Sequence, residues 1–122
     1  MTRFWLAVAG LGGFASVIAG AMGAHLAADP QAAEWLRTGA TYGLIHAAAL
    51  IAVLALAQGR EPRRGAAAVA GWSFTVGIVL FSGGLFALAG TRIAWIGWAT
   101  PIGGVAFMIG WASLALLALR RR

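Results

Sequence analysis

Four stretches of the chain, residues 4–28, 39–57, 66–89 and 101–119, contain no Asp, Glu, Lys or Arg, and the charged residues sit in the gaps or at the ends. A helix needs about 20 apolar residues to cross a hydrocarbon layer of roughly 30 Å. The pattern predicts four membrane-crossing helices at about 4–28, 30–57, 66–89 and 101–119, in a single transmembrane domain spanning 1–122. The second helix is placed from residue 30 because Asp29-Pro30 has the form of an N-cap followed by proline at the first helical position. It would then pass Trp35, an interfacial aromatic, before entering hydrocarbon. Thr100-Pro101 has the same form, so the fourth helix is expected to start at Thr100; the alternative is a longer helix from near Ile96, kinked at the proline. On the first reading residues 93–99, with Trp95 and Trp98, form an apolar loop in the interface. Short connections make successive helices antiparallel, and the expected fold class is all-α, an integral-membrane four-helix bundle.

Composition supports solvation by lipid: 61% of residues are hydrophobic and 10% charged, too few to coat a water-soluble core. The formal charge of +6 comes entirely from arginine on the basic side, but the arginines form no continuous face, so nucleic acid is not an expected partner. Their distribution instead predicts orientation. Arg3, Arg60, Arg63, Arg64, Arg120, Arg121 and Arg122 fall at one end of the bundle, against Arg37 and Arg92 at the other, which places both termini in the cytoplasm. The first apolar run is longer than a signal-peptide core and is expected to be retained despite the small residues Ala19-Gly20-Ala21. Cysteine is absent, which removes disulfides, thiolate metal sites and cysteine nucleophiles.

The 18 glycines concentrate within the spans, where small residues allow helix backbones to approach closely. Gly12, Ser16, Gly20 and Ala24 recur every four residues along helix 1, and Gly83, Gly84, Gly103 and Gly104 provide further close-approach positions. Such a stripe serves packing within one chain or homo-oligomerisation equally well.

Candidate chemistry rests on a few intramembrane polar groups. His46 lies roughly 10 Å below the outer surface on the helical rise, with Tyr42 one turn above it, and Ser82 lies at a comparable depth. His25 and Thr100 are expected near the outer ends of their helices, so His25, Tyr42, His46, Ser82 and Thr100 form a candidate polar pocket in the outer half. The structural alternative is that neutral His46 bonds to a serine hydroxyl or a backbone carbonyl and fastens helix 2 to helix 3. The two histidines differ by roughly 10 Å in depth, which disfavours bis-histidine haem, and without cysteine or an intramembrane carboxylate they fall short of a zinc site. Asp29, Glu34 and Glu61 all lie outside the hydrocarbon spans, so neither a carboxylate pair nor an acid-oriented Ser-His nucleophile is expected there. No catalytic residue, metal or cofactor is expected.

The segments Ala19-Gly20-Ala21-Met22-Gly23-Ala24-His25, Tyr42 with His46-Ala47-Ala48-Ala49-Leu50, Phe81-Ser82-Gly83-Gly84-Leu85-Phe86 and Thr100-Pro101-Ile102-Gly103-Gly104 through Gly110-Trp111 resemble, in order and spacing, the small membrane proteins grouped as domain of unknown function 423. Phe86 departs from the pattern, standing where tyrosine is expected and removing a hydroxyl from helix 3. The resemblance implies a four-helix inner-membrane protein, related also to a small eukaryotic transmembrane protein, and implies no activity. The expected role is a non-enzymatic structural or interaction component of the bacterial inner membrane, its partners being lipids and either further copies of itself or a larger membrane protein. The alternative is permeation of a small solute or proton through the outer-half polar cluster, in an oligomer.

Overall fold

Asp29 accepts the backbone N–H of Ala32 (2.8 Å), and Pro30 follows at the first helical position, where a missing N–H has no intrahelical partner to lose. In the computed structural model, which describes residues 1–120, this cap begins α2 (Pro30–Ala57), the second of four helical passages long and apolar enough to cross a membrane. α1 (Thr2–His25) precedes it. The third passage, Arg63–Thr91, consists of α3 (Arg63–Gly77), a π-helical turn at Ile78–Ser82 and α4 (Gly83–Thr91). A 3-10 turn at Ala94–Trp98 then leads into α5 (Ala99–Leu119). Arg121 and Arg122, counted above at the arginine-rich end, lie outside the described residues.

Two local expectations change. Residues 93–99 are not an irregular loop: a 3-10 turn at Ala94–Trp98 continues directly into α5, while Trp95 and Trp98 remain exposed. Nor is Thr100 the cap. Helix starts at Ala99 and Pro101 sits in the first turn, where backbone N–H groups lack an i−4 carbonyl and proline is tolerated without breaking the helix.

α1 lies along α2, α2 lies along the third passage, and α5 packs on the third passage from another side. The core centres on the end that carries the N-terminus. There Trp5 of α1, Leu50 and Val53 of α2, Phe74 of α3 and Phe107 of α5 are buried together. A smaller cluster of Ala19, Leu36 and Ala40, backed by Phe86, fills the opposite half. The larger core is built by setting aromatic rings on glycines: Trp5 rests on Gly71, Phe107 on Gly77 and Phe74 on Gly110, in each case where a Cβ would collide with the ring. Gly103 brings α5 against the backbone N of Phe81 in the π turn.

The helix 1 stripe winds out of register. Four residues overshoot one helical turn by roughly 40°. Ser16 is buried, Gly12 meets Ile78 and Gly20 touches Ala40, but Ala24 has rotated to the exposed side and Gly23 takes its place against Leu36 and the Ala33 carbonyl. Gly83, Gly84 and Gly104 stand in ordinary van der Waals surroundings, with room for a Cβ.

Candidate functional site

His46 is 3% exposed on α2, and both ring nitrogens are engaged. Nδ1 lies 2.7 Å from the Tyr42 carbonyl oxygen, one turn earlier, and Nε2 lies 2.9 Å from Trp111 Nε1 on α5. A carbonyl only accepts and an indole N–H only donates, so the two partners select the neutral imidazole with its proton on Nδ1. The ring is held in plane as well. Phe107 stacks on it at 3.5 Å between centroids and 11° between planes, while Phe74 meets it edge-on at 5.3 Å. Of the two partners expected, the backbone carbonyl is present, within α2, while the interhelical hydrogen bond comes from an indole on α5 rather than from a serine hydroxyl on helix 3, which His46 meets only through the Phe74 ring.

The five polar residues singled out in the sequence do not converge. The cavity of about 530 Å³ that contains His46 is lined by Tyr42, Phe81, Pro101, Phe107 and Trp111 among others, and Ser82, Thr100 and His25 are not on its wall. Tyr42 belongs there, tilted against Phe81 at 4.6 Å and half-exposed. Ser82 points elsewhere, to the junction of α1, α2 and the π turn. At that junction the Ser16 and Ser82 hydroxyls both sit over Gly43, where a Cβ would meet them, and each is 1% exposed without a hydrogen-bond partner among the described residues. Thr100 faces Gly84, its Oγ1 also unpartnered. His25 is exposed in the last turn of α1. Ser82 ends the π turn, where a wide turn shifts the helical phase, and the depth on which its placement rested does not fix the side to which it points.

Trp111 is the residue that sequence reasoning left out of the site. A signal existed: ten residues beyond Pro101 it is far inside the span, away from the interfacial belt that usually explains tryptophan. A buried-facing indole N–H at such depth needs an acceptor.

At the other end of the molecule from the termini, Arg92 donates to Asp29 Oδ2 and its guanidinium lies 5.2 Å from the Trp35 ring centroid. Arg92 adopts a left-handed conformation (φ 58°) that ends α4 and turns its side chain back toward α2. The Ala32 N–H, and after it the Arg92 guanidinium, hold the Asp29 carboxyl below its ordinary value. One ion pair therefore ties the α1–α2 connection to the turn before α5. Among the described residues no group of three or more His, Cys, Asp or Glu is placed to hold a metal ion.

Comparison with known proteins places this architecture. The family described as Protein of unknown function (DUF423) matches residues 19–104. The chain belongs to this family. A UPF0382 membrane protein of Haemophilus influenzae is 40% identical over 118 residues, covering 94% of this chain and 93% of the relative. The UPF0382 inner membrane protein YgdD of Escherichia coli K12 is 34% identical over 128 residues, covering 98% and 92%. The UPF0382 membrane protein YwdK of Bacillus subtilis is 39% identical over 104 residues, covering 83% and 84%. No solved structure matches the chain. With four membrane-capable helices and inner-membrane relatives, this DUF423 chain is a multi-pass protein of the bacterial inner membrane.

Proposed function

We propose that the protein is a non-enzymatic component of the inner membrane, acting as a structural or interaction element rather than as a catalyst or a conduit. The observation that carries this reading is the engagement of His46. Its proton is committed to the Tyr42 carbonyl and its lone pair to the Trp111 indole, so the one deeply buried imidazole has no free nitrogen for a substrate or a relayed proton. Of the candidate hydroxyls only Tyr42 is on the cavity wall, Ser82 and Thr100 stand outside it, and no acidic side chain lies in the hydrocarbon spans to orient a nucleophile or pass a proton onward. On this reading the rings around His46 hold α5 in a fixed relation to α2 and present a rigid outer surface to neighbours.

The test pairs two measurements on the full chain. Copurification from native membranes after mild crosslinking is expected to yield a larger assembly, either of further copies or with another membrane protein. Reconstituted into proteoliposomes, the purified chain is expected to leave an imposed pH gradient at the rate of empty vesicles. Gradient collapse that disappears in His46→Gln would replace this reading with proton permeation.

A further inference from the structure

Between α3 and α5, at the end that carries the termini, lies a groove of about 400 Å³. Its deep walls are Val69, Ile109 and Leu116, its floor includes Ser113, and Glu61 and Arg120 stand at its mouth. Ser113 is turned inward and donates to the Gly110 carbonyl (2.7 Å), which leaves an apolar trough below a charged rim. From Ile109 to Arg120 the helical rise gives roughly 16 Å, close to half of a hydrocarbon layer of roughly 30 Å. The trough therefore has the depth of one leaflet.

The rim is basic. Arg120 lines the mouth, and Arg60, Arg63 and Arg64 are exposed in and just after the connection that supplies the lining residues Glu61 and Pro62, at the same end of the bundle. The opposing charge is Glu61, whose Oε2 accepts the Gly65 N–H (3.2 Å) and is drawn back against α3. Arg120 at the mouth, with three further arginines exposed at the same end against the single Glu61, attracts phosphate, and apolar walls one leaflet deep accept a hydrocarbon chain. No water-soluble anion needs the second feature, and no simple hydrocarbon needs the first.

We propose that this groove holds an anionic phospholipid of the adjoining leaflet, its phosphate at Arg120 and one acyl chain between Val69, Ile109 and Leu116. Polybasic segments at the end of a membrane span add about 1 kcal/mol of attraction to anionic lipid per arginine, so removing one rim charge is worth about fivefold in affinity.

The experiment uses the full chain in mild detergent, titrated with phosphatidylglycerol or phosphatidylcholine of identical acyl chains and followed by native mass spectrometry. Wild-type protein is expected to retain phosphatidylglycerol preferentially. Arg120→Gln should weaken that binding about fivefold, whereas Arg3→Gln, an arginine at the same end on α1, should leave it unchanged. Ala112→Phe, a substitution at an exposed position on the groove wall, keeps every charge but blocks the trough, and is expected to abolish retention. Equal retention of phosphatidylcholine overturns the proposal. So does an equal loss in Arg3→Gln, which would make the attraction diffuse, or undiminished binding by either Arg120→Gln or Ala112→Phe.

Discussion

Trp111 donates its indole N–H to His46 Nε2 across 2.9 Å, joining α5, which packs chiefly on the third passage, to α2, which packs against both α1 and that passage. This bond closes the bundle on one side. The Phe107 ring stacked on the imidazole lies on the same helix as Trp111, so hydrogen bond and stacking act together to set the position of α5.

Trp111→Phe keeps a ring at the surface of the cavity and removes the donor. Hydrogen bonds between membrane helices average about 0.6 kcal/mol and reach about 1.7, and the loss should fall in that range in mixed-micelle unfolding. His46→Gln, which retains a donor and an acceptor, should lose less than His46→Phe and should restore any phenotype of a deletion strain. A double-mutant cycle between the two positions is the direct check. Zero coupling would mean that the pair is not bonded.

Two adjacent glycines on α5 should behave differently. At Gly103 a Cβ would collide with the Phe81 backbone in the π turn, whereas at Gly104 the nearest Phe81 ring atom would be 3.8 Å away. Gly103→Ala is therefore expected to destabilise by about 1–3 kcal/mol, the usual cost of overpacking. Gly104→Ala should stay within about 0.5 kcal/mol of wild type. Matching thermal stabilities for the two variants would count against the close approach of α5 to that turn.

The helices were legible because length and the exclusion of charge are one-dimensional signals, and Asp29-Pro30 marked the start of α2 to the residue. What sequence counting missed is phase. The four-residue spacing of Gly12, Ser16, Gly20 and Ala24 drifts around the helix until Ala24 leaves the interface and Gly23 enters it. Ser82, at the end of the π turn at Ile78–Ser82, sits over Gly43 with Ser16 and off the wall of the His46 cavity. Of the candidate pocket, Tyr42 and His46 share a cavity because they are one turn apart on the same regular helix. The partners on other helices, Trp111 and Phe107, depended on interhelical register, for which a single sequence carries no direct signal.

Ser16 and Ser82 give a prediction of opposite sign to most core substitutions. A buried hydroxyl without a partner costs about 1–3 kcal/mol, so Ser16→Ala and Ser82→Ala should preserve or raise stability. Gly43→Ala should lower it, because the new methyl collides with Ser16 Oγ. Adding Ser16→Ala should recover part of that loss. Destabilisation by both single serine variants would reveal that the hydroxyls are hydrogen-bonded in the membrane.

The Asp29–Arg92 pair should make stability depend on pH in a defined window. The Asp29 carboxyl is held below its ordinary value, so it stabilises the fold when ionised, above the unfolded carboxyl value of about 3.9, and loses that contribution as pH falls through the lower folded value. Asn is also a good N-cap. Thermal stability of wild type should thus exceed that of Asp29→Asn by a constant margin from about pH 7 to pH 5, and the margin should close below about pH 4. A margin that does not narrow at all as pH falls below about 4 would assign the effect to packing rather than charge.

Orientation provides the last prediction. Antiparallel passages put Arg3, Arg60, Arg63, Arg64 and Arg120 at one end of the bundle, and Arg37 and Arg92 at the other. Five described arginines against two weight the bias that retains positive loops in the cytoplasm toward the end with the termini. Reporter fusions following residue 122 and within 58–62 should report cytoplasmic, and one inserted at 26–29 periplasmic. Moving the bias is the sharper check. Replacing Arg60, Arg63 and Arg64 by Gln while adding arginines beside Glu34 should produce molecules of mixed or inverted topology. A periplasmic reporter at the C-terminus of the unaltered chain would overturn the assignment.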